Sequence, residues 1–122
     1  IEEAVKYAKE RVQFGKPIIK HQAIQFMLAD MEMNTEAGRQ LVYNAANLID
    51  HHVRATKEAS MAKCFCADNA MKVTTDAVQI LGGYGYSREY PVEKMMRDAK
   101  IFQIFEGTNQ IQRIVIAGQM AQ

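Results

Sequence analysis

Apolar residues recur at steps of three and four along two long stretches of this 122-residue chain, which is the spacing of one face of an α-helix. The first stretch predicts a single helix of roughly 30 residues, some 45 Å long. Its apolar positions are Ile24, Met27, Leu28, Met31, Gly38, Leu41, Val42, Ala45, Leu48 and Ile49. The second stretch comprises Ala62, Phe65, Cys66, Ala70, Val73, Ala77, Ile80 and Leu81. It should end at Gly82 and Gly83, because glycine is the usual residue just after a helix.

Shorter helical segments surround these two. One helix should follow Pro91, another should run from about Asn109 to the end, and the first begins at Ile1. No segment alternates with a period of two, so a sheet is not expected. Four or five helices joined by short loops predict an all-α fold, an antiparallel four-helix bundle with two long helices. Because the chain opens in helical pattern without methionine, we expect residues 1–122 to be one domain of a longer protein.

Composition narrows the classes of function. A hydrophobic content of 48% suits one compact core. The 15 basic and 14 acidic residues are interspersed, so no basic face is available to follow a phosphate backbone and nucleic acid is not an expected partner. No apolar run approaches the roughly 20 residues that span a bilayer, and no targeting signal is present at the start. The expected location is the bacterial cytoplasm or the mitochondrial matrix.

The cysteines and histidines predict no metal site. Cys64 and Cys66 are the only cysteines, and on a helix their side chains diverge by about 200°. They are therefore expected to be small buried hydrophobes, which suits a reducing compartment. His21 stands alone, and the adjacent His51 and His52 would face different ways.

Glu106 is the first candidate for chemistry. It follows an apolar run, and burial there would disfavour the charged carboxylate, raise its pKa and make it a usable general base. The run comprises Ile101, Phe102, Ile104 and Phe105. After the acid, Gly107 lets the backbone bend, and Thr108 or Asn109 can cap a helix. From spacing alone, the commoner interpretation is an acid that only complements a helix dipole, so both remain open at this point.

Four sequence blocks occur in a characteristic order: YAKERVQFGKP at 7–17, QILGGYGY at 79–86, RDAK at 97–100 and FEGTNQIQR at 105–113. Together they resemble the C-terminal domain of the acyl-CoA dehydrogenases, over essentially the whole chain. The resemblance implies an FAD-dependent enzyme that oxidises straight-chain acyl-CoA to trans-2-enoyl-CoA. Glu106 would remove the α proton while the β hydrogen leaves as hydride to the flavin.

The resemblance also implies roles for particular residues. Phe105 and Gly107 would contact the substrate. The implied cofactor-binding residues are Arg11, Gln13, Phe14, Gln79, Gly83, Thr108 and Gln110. Arg11 would meet the flavin pyrophosphate, whereas Gln79 and Gly83 would meet the adenosine part of an FAD held by a neighbouring subunit.

Partners and alternatives follow from the same resemblance. It implies a homotetramer that passes electrons to an electron-transfer flavoprotein, and an isolated bundle that binds FAD weakly and lacks turnover. Two alternatives remain: a non-catalytic helical interaction or oligomerisation module, and an acyl-CoA oxidase of the same fold. Relatives that had lost the chemistry would be expected to lose the acid or Arg11, and this chain keeps both. Acyl chain length and the electron acceptor stay open.

Overall fold

Five α-helices make up most of the computed structural model, which describes residues 1–121. In chain order they are α1 (Glu2–Glu10), α2 (Gln22–Asp50), α3 (Thr56–Leu81), α4 (Val92–Phe102) and α5 (Asn109–Met120). Short 3₁₀ turns occupy Ile18–Lys20 and Gly82–Tyr86. The all-α class is confirmed, and so are the two long helices, of 29 and 26 residues.

Consecutive long helices are antiparallel, as the pairing of side chains shows. The Sγ atom of Cys66 lies 3.5 Å from the carbonyl oxygen of Gly38, and three residues away in opposite directions Asn69 donates to Thr35. α3 is the central helix, and it packs against α1, α2, α4 and α5. Gly38 is buried, and its missing side chain lets α2 and α3 approach closely at this crossing.

The apolar core surrounds the C-terminal half of α3. Its buried members are Ala4, Ala8, Ile18, Met31, Ala77, Ile80, Leu81 and Val92. The other half of α3 packs mainly through small buried residues, namely Ser60, Ala62, Cys64 and Ala67. Large apolar side chains therefore remain exposed on α2 and α5, including Phe26, Tyr43, Ile49, Ile114 and Met120. The apolar stripe predicted for α2 is wider than the face that this chain buries.

A two-stranded hairpin contradicts the expectation that the chain has no sheet. Val12–Gln13 pairs antiparallel with Lys16–Pro17. The turn between them is formed by Phe14 and Gly15, whose φ angles of 53° and 75° suit the tight turn that joins two twisted strands. Strands of two residues are too short to show alternation, which is why periodicity missed them. The segment that follows α1 thus forms a hairpin.

The described residues add three further findings. None of the helices within 1–121 is long and apolar enough to cross a membrane. Over the same range, no group of three or more His, Cys, Asp or Glu side chains is arranged to hold a metal ion. Cys64 is buried as expected but Cys66 is only half-buried, and burial raises the pKa of the Cys66 thiol.

Candidate active site

The loop between α4 and α5 bends sharply at Glu106. The φ angles of Glu106 and Gly107 are 54° and 82°, both in the left-handed region. Glycine adopts this conformation freely, whereas a residue with a Cβ pays about 1–2 kcal/mol. Strain of this kind persists only when the surrounding structure holds the residue in place.

Hydrogen bonds hold both carbonyl groups of the bend. Gln112 donates from Nε2 to the carbonyl oxygen of Glu106 at 3.1 Å, and Lys63 donates from Nζ to that of Gly107 at 2.8 Å. The hydroxyl of Thr108 accepts from the backbone N–H of Ile111 at 3.2 Å, so the predicted helix cap is Thr108. The strained turn is therefore tied both to α5 and to α3.

Asn109, the first residue of α5, joins the C-terminal end of the loop to α3. It is only 2% exposed. Its amide donates to the carbonyl oxygen of Cys64 at 3.1 Å and to Oδ1 of Asp68 at 2.7 Å, and its Oδ1 accepts from Lys63 at 2.7 Å. Sequence reasoning treated Asn109 only as a possible cap, because its partners lie on a helix more than 40 residues earlier.

Asp68 on α3 joins the two ends of the loop. Its carboxylate accepts from Gln103 at 2.7 Å, just after α4, and from Arg113 at 2.6 Å, within α5. Desolvation is the largest single influence on the pKa of Asp68 and raises it, but the hydrogen bonds from Arg113, Gln103 and Asn109 together outweigh it. The pKa of Asp68 therefore lies below its ordinary value, and the loop is held by a charged carboxylate.

A mostly apolar groove of about 440 Å³ lies beside the turn. It is lined by Lys63, Cys66, Ala67, Ala70, Phe102, Phe105 and Glu106. Phe102 and Phe105 meet edge to face, with ring centroids 5.4 Å apart. The structure thus places the predicted base and the predicted substrate-binding aromatic on one groove.

The expected burial of Glu106 is wrong for residues 1–121, because the acid is exposed there. Its apolar neighbours are themselves partly exposed: Ile104 is 50% and Phe105 43% exposed. The apolar run forms one wall of an open groove, and no other described segment covers it. Desolvation of Glu106 would have to come from a ligand or from groups outside these residues.

A second groove, of about 630 Å³, gathers part of the predicted cofactor site. Arg11, Gln13 and Gly83 line it, together with Tyr84. The guanidinium of Arg11 lies 5.6 Å from the centre of the Tyr84 ring. An added Cβ at Gly83 would meet nothing within 4 Å, so the backbone is open to a ligand there.

The other predicted cofactor residues lie outside this second groove. Phe14 projects from the hairpin and is 93% exposed, and Gln79 is exposed near the end of α3. Thr108 and Gln110 lie beside Glu106, at the start of α5. The lining residues Ala70 and Ile80 are ten residues apart on α3, so the grooves are separated by about 15 Å along that helix.

Comparison with known proteins shows the family of this chain. Residues 1–121 match the family model described as acyl-CoA dehydrogenase, C-terminal domain. The chain belongs to the acyl-CoA dehydrogenase family. It is 58% identical to an acyl-CoA dehydrogenase of Bacillus subtilis (strain 168), over 96% of this chain and 31% of that protein. The resemblance stated from four sequence blocks is confirmed.

Other members of the acyl-CoA dehydrogenase family are similarly close. The chain superposes on butyryl-CoA dehydrogenase from Megasphaera elsdenii with a TM-score of 0.97 and 55% identity, covering 99% of this chain and 32% of that one. It is also 55% identical, over 98% of its length and 32% of the relative, to the CarC subunit of the caffeyl-CoA reductase-Etf complex of Acetobacterium woodii. The chain thus spans about a third of the length of these relatives.

Proposed function

We propose that the protein carrying this domain oxidises straight-chain acyl-CoA thioesters to trans-2-enoyl-CoA, with Glu106 as the base that removes the α proton. The observation that carries the proposal is a carboxylate held in a strained turn at the rim of an apolar groove. Residues 1–122 would be the C-terminal domain of that enzyme, with the remaining domains supplied by the rest of a longer chain.

The chain's own residues would bind the substrate and move one proton. The groove would hold the acyl chain beside Phe105, with the α carbon next to Gly107 and the carboxylate of Glu106. The thioester carbonyl acidifies the α C–H, and a carboxylate removed from water is better matched to accept that proton. Covering of the exposed groove by the acyl chain and by the upstream domains would provide this desolvation.

The residues present fit FAD. The Arg11 guanidinium can bind a pyrophosphate bidentately, and the open backbone at Gly83 admits close approach of a ligand. Gln13 lines the same groove. Phe14 and Gln79 would add contacts from outside it, while Thr108 and Gln110 would hold the cofactor near Glu106. FAD, when bound, supplies the acceptor for the hydride that leaves the β carbon.

The proposed assembly is a homotetramer, in which the two grooves of one chain would serve different active sites. Since about 15 Å of α3 lies between them, the Arg11 end can reach an FAD held by a neighbouring subunit while the Glu106 end faces the chain's own substrate. Exposed apolar side chains on α2 and α5 offer surface for such packing; they include Phe26, Tyr43, Ile49 and Ile114. The location we propose is the bacterial cytoplasm or the mitochondrial matrix, and the bacterial relatives favour the first.

The proposed electron acceptor is an electron-transfer flavoprotein, a partner suggested by the name of the Acetobacterium relative. That relative is named as a reductase, and reduction of an enoyl-CoA would use the same groups in reverse. The oxidase alternative differs only in passing electrons to oxygen. The interaction-module alternative would lack all of this chemistry.

One experiment separates these functions: anaerobic addition of butyryl-CoA and octanoyl-CoA to the full-length protein, followed by absorbance of the flavin. We expect bleaching, with the faster substrate indicating chain length, and rapid reoxidation by electron-transfer flavoprotein but slow reoxidation by air. Air reoxidation as fast as turnover would identify an oxidase. Absence of bleaching by either thioester would favour the non-catalytic module.

A second expected result concerns residues 1–122 alone. Because both grooves are open in this chain, the isolated bundle should bind FAD weakly and show no turnover. Titration of the purified chain with FAD, followed by flavin fluorescence, measures this directly. Tight stoichiometric binding would contradict the prediction that the other domains supply most of the cofactor contacts.

A further inference from the structure

Lys63 on α3 has an unusual set of partners. The residue is half-buried and lines the groove beside Glu106. Its ammonium group donates to the carbonyl oxygen of Gly107 at 2.8 Å and to Oδ1 of Asn109 at 2.7 Å. It forms no ion pair with a carboxylate among residues 1–121. Its ammonium group is therefore positioned by two charge-assisted hydrogen bonds to neutral oxygen atoms and not by a carboxylate.

We propose that Lys63 is the positioning residue for Glu106, fixing the turn that aims the carboxylate over the groove. This inference rests on the proposed role of Glu106 as the base. Lys63 holds the carbonyl immediately after the base, and it lines the same groove. One bond runs from the central helix to the loop and the other to the first residue of α5, so together they fix the turn relative to α3.

No other described side chain of α3 hydrogen-bonds to Glu106 or Gly107. Gln112 donates to the carbonyl oxygen of Glu106 at 3.1 Å and to that of Gly107 at 3.4 Å, but it belongs to the helix that follows the turn and not to α3. Asp68 acts one step further away, through Asn109, Gln103 and Arg113. A misplacement of about 1 Å can slow a reaction by 10²-fold. Loss of the two Lys63 hydrogen bonds should therefore lower the rate of the proton-transfer step.

The test compares Lys63→Met and Lys63→Arg in the full-length, FAD-loaded protein. Methionine keeps an unbranched stem but removes the donors, whereas arginine retains donors. For Lys63→Met we expect flavin bleaching to slow by roughly 10- to 100-fold. The acyl-CoA affinity should stay within about twofold, because the apolar lining is kept. The kinetic isotope effect of α-deuterated acyl-CoA should increase, and Lys63→Arg should recover part of the rate.

A matched control is Lys72→Met. Lys72 lies nine residues later on α3, hence on the opposite face at about 100° per residue, and pairs with Asp76 at 2.5 Å. This variant should leave bleaching unchanged. Hydrogen exchange at residues 106–109 provides a readout independent of turnover, and it should accelerate in Lys63→Met but not in Lys72→Met.

Three outcomes distinguish the hypotheses. Slower bleaching, a larger isotope effect and faster exchange of the loop in Lys63→Met support the positioning role. An unchanged rate and isotope effect in Lys63→Met, while Glu106→Gln abolishes bleaching, overturn that role and leave the base in place. Unchanged bleaching in Glu106→Gln overturns both. If Lys63→Met does not fold, the same measurements are made on Lys63→Gln. An isotope effect and a rate of hydrogen exchange at residues 106–109 that both equal those of the native protein would then refute the positioning role of Lys63.

Discussion

Replacing Glu106 by glutamine in the full-length protein should slow anaerobic flavin bleaching by acyl-CoA by about 10²- to 10⁴-fold, the range contributed by a general base. Glutamine has nearly the same shape as glutamate, but its amide cannot accept the α proton. The bend at residue 106 is held through backbone carbonyls by Gln112 and Lys63, so the turn should survive the change. Stopped-flow absorbance of the flavin measures the rate, and equilibrium titration measures binding of the thioester.

Glu106→Asp is the matched comparison, since it keeps the carboxylate and withdraws it by one methylene. Its bleaching rate should fall between those of the native protein and Glu106→Gln, because the base is present but misplaced. Loss of bleaching in Glu106→Gln with retained thioester binding would identify Glu106 as the base. Unchanged bleaching would place the base in another part of the protein and make this domain a scaffold.

Replacing Gly85 by alanine should lower the free energy of unfolding by about 2–3 kcal/mol, at the upper end of what overpacking usually costs. Gly85 is buried in the 3₁₀ turn after α3. A Cβ there would lie 2.6 Å from the carbonyl oxygen of Val78, 2.9 Å from Cβ of Leu81 and 3.0 Å from Cα of Val78. None of these atoms is the end of a flexible side chain, so relief requires the backbone of the turn to move.

Gly118→Ala is the control for Gly85→Ala. Gly118 lies inside α5 and an added Cβ there meets nothing within 4 Å. Alanine is favoured over glycine within a helix by up to about 1 kcal/mol, so this variant should be neutral or more stable. Urea denaturation of the native chain and both variants measures the difference. Equal stability of the two alanine variants would show that the contacts at Gly85 do not limit packing.

The local sequence pattern was sufficient to predict the long helices, the end of α3 and the cap of α5. The three- and four-residue spacing predicted α2 and α3, and Gly82 with Gly83 located the end of α3, because both signals arise within a few consecutive residues. Thr108 was likewise one of two residues predicted to cap α5. The order of the four sequence blocks was enough to indicate the family, since each block is read without knowing what it contacts.

Two local expectations failed for physical reasons. The hairpin at Val12–Gln13 and Lys16–Pro17 is made by the turn at Phe14 and Gly15, and its strands are too short for any periodicity. Glu106 follows an apolar run but is exposed, because apolar neighbours in sequence desolvate a group only when something covers them. Hydrophobicity along the chain predicts which residues favour burial, and packing decides which of them achieve it.

The sequence by itself determined the all-α class, the length of α2, the end of α3 and the identity of Glu106 as a candidate base. Only the tertiary structure decided that Lys63, Asp68 and Asn109 form hydrogen bonds around the loop that carries that acid, and that Arg11 and Gly83 share a different groove. The bonds of Lys63 to this loop join residues 44 and 46 positions apart. Helical periodicity predicts which residues share one face of one helix. Contacts between helices depend on how the helices are aligned along each other, and close approach at positions such as Gly38 sets that alignment.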